Sequence, residues 1–249
     1  MKNKKVLSIV GNDIYSAGGL YSDIRILGQV ADVYLAITCL TACPQEDFQI
    51  IPVACDALAQ QLASFDDLDF DLIKIGLLPS VDHARLVFDW LKGKKGAKIF
   101  LDPVLLLKEK EGQANQEIVD LLRDFLPFVD LMTPNLLEAQ ILLGRELTSQ
   151  EDIQAGAQEL RGLGAKIALI TVGDRLAGTE ALDVYADEKQ NVALKGPLVH
   201  LSNEGAGCTF LSYLTKEELK GSASLEAAQK AKEATYHYLL ERDKHATTK

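Results

Sequence analysis

An α/β fold built on a mostly parallel sheet is what this sequence predicts. Three observations carry it. Short apolar runs rich in strand formers recur along the chain, helical patterns separate them, and the alternation breaks only near the end, where two strand patterns follow each other directly. The runs at 6–10, 33–38, 72–75, 98–101, 131–133 and 167–172 read as buried strands. Parallel neighbours need a crossover, and the stretches between the runs supply helices for it. One such stretch places Ile153, Ala157 and Leu160 at helical spacing behind Thr148-Ser149-Gln150-Glu151, a capping-box pattern that starts the helix. The segments 181–186 and 191–195 are spaced as a hairpin around 187–190. Two helices, from about Gly205 and about Leu225, close the chain.

The 249 residues, 47% of them apolar, suit one domain with a continuous core. A formal net charge of −10 argues against a nucleic-acid partner, because phosphate backbones need clustered Lys and Arg. The basic run Lys92-Gly93-Lys94-Lys95 is short and reads as a solvated turn. The apolar run that follows the basic start is too short for a secretion signal, and no stretch approaches the roughly 20 apolar residues of a membrane span. Cys39, Cys43, Cys55 and Cys208 form no Cys-x-x-Cys pair and the four histidines are scattered. Structural zinc is therefore not expected, and reduced thiols in a cytoplasm are. No repeat, low-complexity segment or linker divides the chain.

In sheets of this kind, ligands bind beyond the carboxyl ends of the strands. Four unusual loops fall there, at 11–19, 102–112, 133–138 and 173–178. A further segment, Asn203-Glu204-Gly205-Ala206-Gly207-Cys208-Thr209-Phe210, sets two glycines before an apolar helical run. Backbone amides at a helix N-terminus favour an anion, and glycines let a phosphate approach closely. The segment reads either as an anion site of that kind or as a plain loop before a helix. It is not a P-loop, since Gly-x-x-x-x-Gly-Lys-Ser/Thr occurs nowhere. The dinucleotide fingerprint fails because Phe210 stands where a third glycine belongs. Thr133-Pro134-Asn135-Leu136-Leu137-Glu138 reads either as a capped helix or as a carboxamide and a carboxylate placed to organise hydrated Mg²⁺. In Gly11-Asn12-Asp13-Ile14-Tyr15-Ser16-Ala17-Gly18-Gly19, Asp13 either bonds a small polar substrate or caps the following helix.

Taken in order, these segments resemble the hydroxymethylpyrimidine phosphate kinase and pyridoxine kinase branch of the ribokinase-like family over nearly the whole length. Residues 11–23 look like its substrate loop, with Ile14-Tyr15-Ser16-Ala17 where Pro-Ser-Gly-Gly is usual. Lys74-Ile75-Gly76-Leu77-Leu78 is similar to its Lys-x-Gly-Met-Leu segment, Asp102-Pro103-Val104 to its Asp-Pro-Val, and Asn135 with Glu138 to its Asn-x-x-Glu. Gly205-Ala206-Gly207-Cys208-Thr209-Phe210 is similar to its anion-hole signature. The resemblance implies a three-layer αβα fold around a central mostly parallel sheet, and an ATP- and Mg²⁺-dependent kinase. It implies Cys208 as catalytic base, where most of the superfamily has Asp, with Gly205, Ala206 and Gly207 as anion-hole amides. Asp102, Lys108, Asn135, Thr171 and Gly173 would border ATP. Glu138 and Asp102 would act on the metal, and Gly11, Asp13 and Gly19 would border the substrate. A helix N-terminus is expected to lower the Cys208 thiol's pKa from roughly 8.5. The sequence carries no dimer signature of its own; relatives of this kind are commonly dimeric, and a homodimer is an assembly that the resemblance allows.

The pattern departs at Glu204, where Thr or His is common, at Thr171-Val172-Gly173-Asp174, and in the bulkier helix 211–218. The favoured substrate is a vitamin B6 vitamer phosphorylated on its 5′-hydroxymethyl group. Open beside it are a pyrimidine alcohol of thiamine synthesis and a ligand-binding relative without turnover. Leu107, before Lys108, takes a place where several B6 kinases carry a second cysteine able to add to the aldehyde of pyridoxal.

Overall fold

The structure, a computed structural model, describes residues 3–15, 17–105, 115–176, 178–199 and 205–246. In chain order, the strands are β1 (Lys4–Asn12), β2 (Ala31–Ala42), β3 (Gln49–Pro52), β4 (Leu72–Ile75), β5 (Lys98–Leu101), β6 (Leu131–Met132), β7 (Ile167–Gly173), β8 (Glu180–Ala186) and β9 (Asn191–Pro197). They form one sheet in the order β3-β2-β1-β4-β5-β6-β7-β8-β9. The six strands from β2 to β7 in that order pair in parallel, while β3, β8 and β9 run antiparallel at the two edges. The order reverses between β1 and β4. That is the topological switch point, where the carboxyl ends of two neighbouring strands diverge and leave a crevice.

Side chains alternate across the sheet as period two demands. Leu7, Ile9, Ile73, Ile75, Ile99 and Leu101 pack under α2 (Cys55–Ala63), α3 (Val81–Lys92), α4 (Gln116–Phe125), α5 (Leu136–Leu143) and α6 (Gln150–Gly162). Val6, Leu72, Phe100, Leu131 and Leu169 pack on the other face, under α1 (Gly19–Leu27), α7 (Ala206–Leu219) and α8 (Ser224–Ala246). The three-layer αβα expectation holds. No described helix is long and apolar enough to cross a membrane.

Two local readings need correction. The cap of α6 is Ser149, whose hydroxyl accepts from Asp152 N–H, so the motif sits one residue later than the Thr148/Glu151 pairing predicts. The Asp152 carboxylate turns back to Thr148, accepting from its N–H and hydroxyl. The edge strand β3 went unread. Its four residues begin with Gln and end with Pro, too few to show alternation, and they form a strand only by pairing with β2.

Candidate active site

The described residues of the predicted site lie at the carboxyl ends of the parallel strands, from the switch point at β1 across to β7. Gly205, the N-cap of α7, adopts φ 73°, a left-handed backbone that favours glycine. A Cβ there would lie 2.1 Å from the Ala17 carbonyl oxygen, so only glycine lets the turn close against the loop after β1. Gly18 faces it from the other side: a Cβ on Gly18 would sit 3.2 Å from Gly205 Cα and 3.6 Å from Cys208 Sγ. Gly19 is also left-handed, packed with its α-carbon against the Gly11 carbonyl. The loop after β1 and the glycine turn of α7, far apart in sequence, thus meet backbone to backbone.

Asp13 holds that loop in shape. Its Oδ1 accepts from Tyr15 N–H, and Oδ2 accepts from Ala17 and Gly18 N–H, each at 3.0 Å. The Asp13 carboxylate thus organises its own turn, while α1 starts from its N-cap Gly18 without a side-chain cap. In α7, the Thr209 N–H bonds to the Gly205 carbonyl as the first turn closes. The amides of Ala206, Gly207 and Cys208 therefore have no intrahelical acceptor, the arrangement that binds anions at helix N-termini.

Cys208 Sγ donates to Asp102 Oδ2 at 3.4 Å, and the Gly19 N–H, at the start of α1, points its hydrogen at the sulfur. The thiol therefore lies where the N-termini of α1 and α7 converge. Even so, burial and the adjacent Asp102 carboxylate push its pKa up to about 12, while Lys74 and the Gly19 N–H act in the opposite sense. The expectation of a lowered thiol pKa is overturned. Desolvation of a thiolate beside a carboxylate outweighs the helix amides. Asp102 is itself buried, and burial raises its pKa against the opposing pull of Lys74.

Glu138 and Asn135 form the capping box of α5. Asn135 Oδ1 accepts from Glu138 N–H at 3.0 Å, and Glu138 Oε2 accepts from Asn135 N–H at 2.8 Å. The other oxygen, Oε1, accepts from Leu105 N–H at 3.3 Å and so ties down the loop that follows Asp102. Burial first, then the charge of Asp102, push Glu138 up to about 8. The capped-helix reading is thus realised, with a carboxylate placed near a second one. Thr133, two residues before Asn135, is buried and its hydroxyl has no hydrogen-bond partner among the described residues.

Asp102, Thr133, Glu138 and Cys208 line one end of a cavity of about 760 Å³. Asn135, Thr171 and Gly173 continue its wall, joined by a parallel bridge between Asn135 and Thr171 and by the Thr171 N–H to the Pro134 carbonyl. Residues of α8, Lys232 and Tyr236 among them, also line the cavity. Lys108, Leu107 and Glu204 lie outside the described residues. Gly11, Asp13 and Gly19 belong to the loop whose Ala17 and Gly18 meet the turn of α7, and they do not line this cavity.

Three buried charges escaped the sequence reading of function. Asp183 on β8 accepts from Val172 and Gly173 N–H and pairs with Lys232 at 2.7 Å, so it fixes the end of β7 where the cavity wall turns. Lys74 on β4 is 1% exposed and pairs at 2.6 Å with Asp23 of α1, which is fully buried. A signal for Lys74 was present. Lysine is almost never fully buried unless paired, and here it stands inside the four-residue apolar run Leu-Ile-Lys-Ile.

A family model described as phosphomethylpyrimidine kinase matches residues 13–247. Hydroxymethylpyrimidine/phosphomethylpyrimidine kinase of Aquifex aeolicus is 34% identical over 232 residues, covering 91% of each chain. Pyridoxine kinase of Bacillus subtilis is 33% identical over 242 residues, covering 94% of this chain and 89% of that protein. Among solved structures, an ADP complex of Bacillus subtilis pyridoxal kinase superposes with a TM-score of 0.86 at 31% identity, covering 93% of this chain and 90% of that one.

Proposed function

Because the chain belongs to the phosphomethylpyrimidine kinase family and shares the ribokinase-like fold, we propose that it transfers the γ-phosphoryl group of Mg·ATP to the hydroxymethyl group of a small heteroaromatic alcohol. The observation that carries this reading is the closure of the α7 amides and Cys208 onto the substrate loop, at the carboxylate-lined end of a nucleotide-sized cavity. A transferring phosphoryl group has little covalent chemistry for a protein to perform, so positioning and charge stabilisation dominate.

The residues fit a magnesium ion of the kind nucleotides bring. Mg²⁺ is usually held by one or two carboxylates together with phosphates and water. Asp102 and Glu138 supply two, and the unpartnered Thr133 hydroxyl lies in the same wall. When bound, the ion supplies positive charge against the phosphate oxygens. Asp102 and Glu138 would hold it.

The chain's own groups account for the proton. As the substrate oxygen forms its bond to the γ-phosphorus and the bond to ADP breaks, ADP leaves with the electron pair. The hydroxyl proton passes to the Cys208 sulfur, and the thiol's proton passes to Asp102 Oδ2 along the existing 3.4 Å contact. The acceptor is the Asp102 oxygen that the thiol already faces, which leaves Oδ1 and Glu138 for the ion. The amides of Ala206, Gly207 and Cys208 face the charge that develops on the phosphoryl oxygens. Thr171, Gly173 and Asn135 border the nucleotide in this reading, as Lys108 does from outside the described residues. Gly11, Gly19 and Asp13 shape the substrate side.

Within this class, we assign the 5′-hydroxymethyl group of a vitamin B6 vitamer, with a pyrimidine alcohol as the second reading. The near-equal identities to a pyridoxine kinase and a pyrimidine kinase support carrying both. Leu107 cannot form a thiol adduct with an aldehyde. Pyridoxine, pyridoxamine or hydroxymethylpyrimidine should therefore be handled at least as well as pyridoxal. The check is kcat/KM for all four under identical Mg·ATP. A preference for pyridoxal above about tenfold, or roughly 1.4 kcal/mol, contradicts the assignment from Leu107. A homodimer is the assembly we propose. Leu40 and Ile51, exposed register partners on β2 and β3, form with nearby Ile14 an apolar edge that supports it.

A further inference from the structure

Beneath the meeting point of loop and turn lies a buried polar cluster that the proposed chemistry does not use. Ser8 and Lys74 are register partners on β1 and β4, the two strands that flank the switch point. Both point to the α1/α7 face and both bond to one carboxylate, that of Asp23. Asp23 Oδ1 accepts from Lys74 Nζ at 2.6 Å and from Ser212 Oγ, on α7, also at 2.6 Å. Ser212 Oγ lies 2.7 Å from the Cys208 carbonyl oxygen as well.

The spacing gives the cluster its meaning. Asp23 lies four residues after Gly19 on α1, and Ser212 four residues after Cys208 on α7. Residues four apart stack on one helix face. The Asp23–Ser212 bond therefore sits one turn below the contact between the Gly19 N–H and the Cys208 sulfur. A helix pair joined only by apolar packing can slide by fractions of an ångström. A hydrogen bond to a buried charge, itself held by a lysine and a second serine on the sheet, fixes the pair in one register. An ion pair this deep gains little net stability over apolar packing, because the charges are desolvated. Its retention is explained if it sets geometry.

We propose that Asp23, anchored to the sheet by Lys74 and Ser8, is a positioning residue that clasps α7 through Ser212 and so holds Cys208 between the Gly19 amide and Asp102. The proposal rests on the reading of Cys208 as the proton-accepting group. It names no new contact with substrate.

The test is a double-mutant cycle on the full chain with Mg·ATP and the best alcohol substrate. Ser212→Ala removes the clasp without leaving a charge unpaired, whereas Asp23→Asn strands Lys74 and serves only as a second variant. Ser224→Ala is the control. It breaks another hydrogen bond of α7, from Ser224 Oγ to the Glu218 carboxylate, outside the Asp23 cluster. Ser212→Ala should lower kcat on the order of tenfold with little change in the KM for ATP, and should have no further effect on kcat when Cys208 is already Ala. Ser224→Ala should lose comparable stability while keeping kcat. The proposal is overturned if Ser212→Ala keeps wild-type kcat, or if its full effect persists in the Cys208→Ala background. The Cys208→Ala arm alone judges the role of Cys208, so the two failures are separable.

Discussion

Cys208→Ala should lower kcat by about 10²–10⁴-fold, the usual contribution of a positioned proton acceptor, while the protein still binds ATP. The substitution removes a sulfur that receives the Gly19 amide and donates to Asp102, and it leaves the backbone amides of the α7 turn in place. Anion binding at that turn is a property of the backbone, so nucleotide affinity should survive. In the ligand-free protein the sulfur is a thiol, held protonated by burial and by Asp102. Thiol-directed alkylation of Cys208 should accordingly be slow at neutral pH, in contrast to a cysteine activated by a helix N-terminus alone. Steady-state kcat and nucleotide binding on one preparation decide the matter. A variant that retains most of its kcat removes Cys208 from the mechanism.

Glu138→Gln should raise the Mg²⁺ concentration needed for half-maximal rate by about 10–100-fold, the usual range when a group that tunes a metal is lost. Its effect on the ligand-free protein should depend on pH, and the sign follows from the raised pKa. The folded-state value of about 8 lies above the ordinary 4.5. The unfolded chain therefore releases this proton first, and stability falls as pH rises from 4.5 through about 8. Each unit of difference is worth about 1.4 kcal/mol. Glutamine behaves as the protonated acid does, keeping one acceptor for the α5 cap and carrying no charge. The ligand-free variant should thus melt close to wild type near pH 5 and above it near pH 9. If Glu138 served only as a cap, the variant would show the same melting behaviour but keep its Mg²⁺ response. A Mg²⁺ titration separates the two, and thermal melts across pH on the same sample check the raised pKa.

The strands of the sheet were legible where they are buried on both faces. Apolar runs such as Ile-Phe-Leu at 99–101 admit few other placements between turn signals, and the hairpin was marked by its polar turn at 187–190. β3 was not legible because an edge strand of four residues draws its stability from pairing rather than from its own pattern. Residue types singled out loops that the structure brings together. Glycines at 18, 19 and 205 and the Asn135/Glu138 pair sit where backbone conformation or capping demands them. What could not be read was electrostatics. The helix-terminus argument for Cys208 is local, whereas the pKa is set by Asp102 at 106 residues' separation and by burial between two helices. The Asp23 cluster was hidden for the same reason, since its members come from β1, α1, β4 and α7 and no sequence spacing unites them.

The central claim is transfer of a phosphoryl group, and it is tested most directly by following the γ-phosphate. Purified protein is incubated with γ-labelled ATP, Mg²⁺ and, separately, pyridoxine, pyridoxal, pyridoxamine, hydroxymethylpyrimidine and its monophosphate, and the labelled products are resolved. The account predicts label on the alcohol product of at least one of these substrates, dependent on Mg²⁺ and suppressed in Cys208→Ala. ATP binding with no labelled product from any substrate, or label released only as inorganic phosphate, would contradict it and leave a nucleotide-binding protein on a kinase fold.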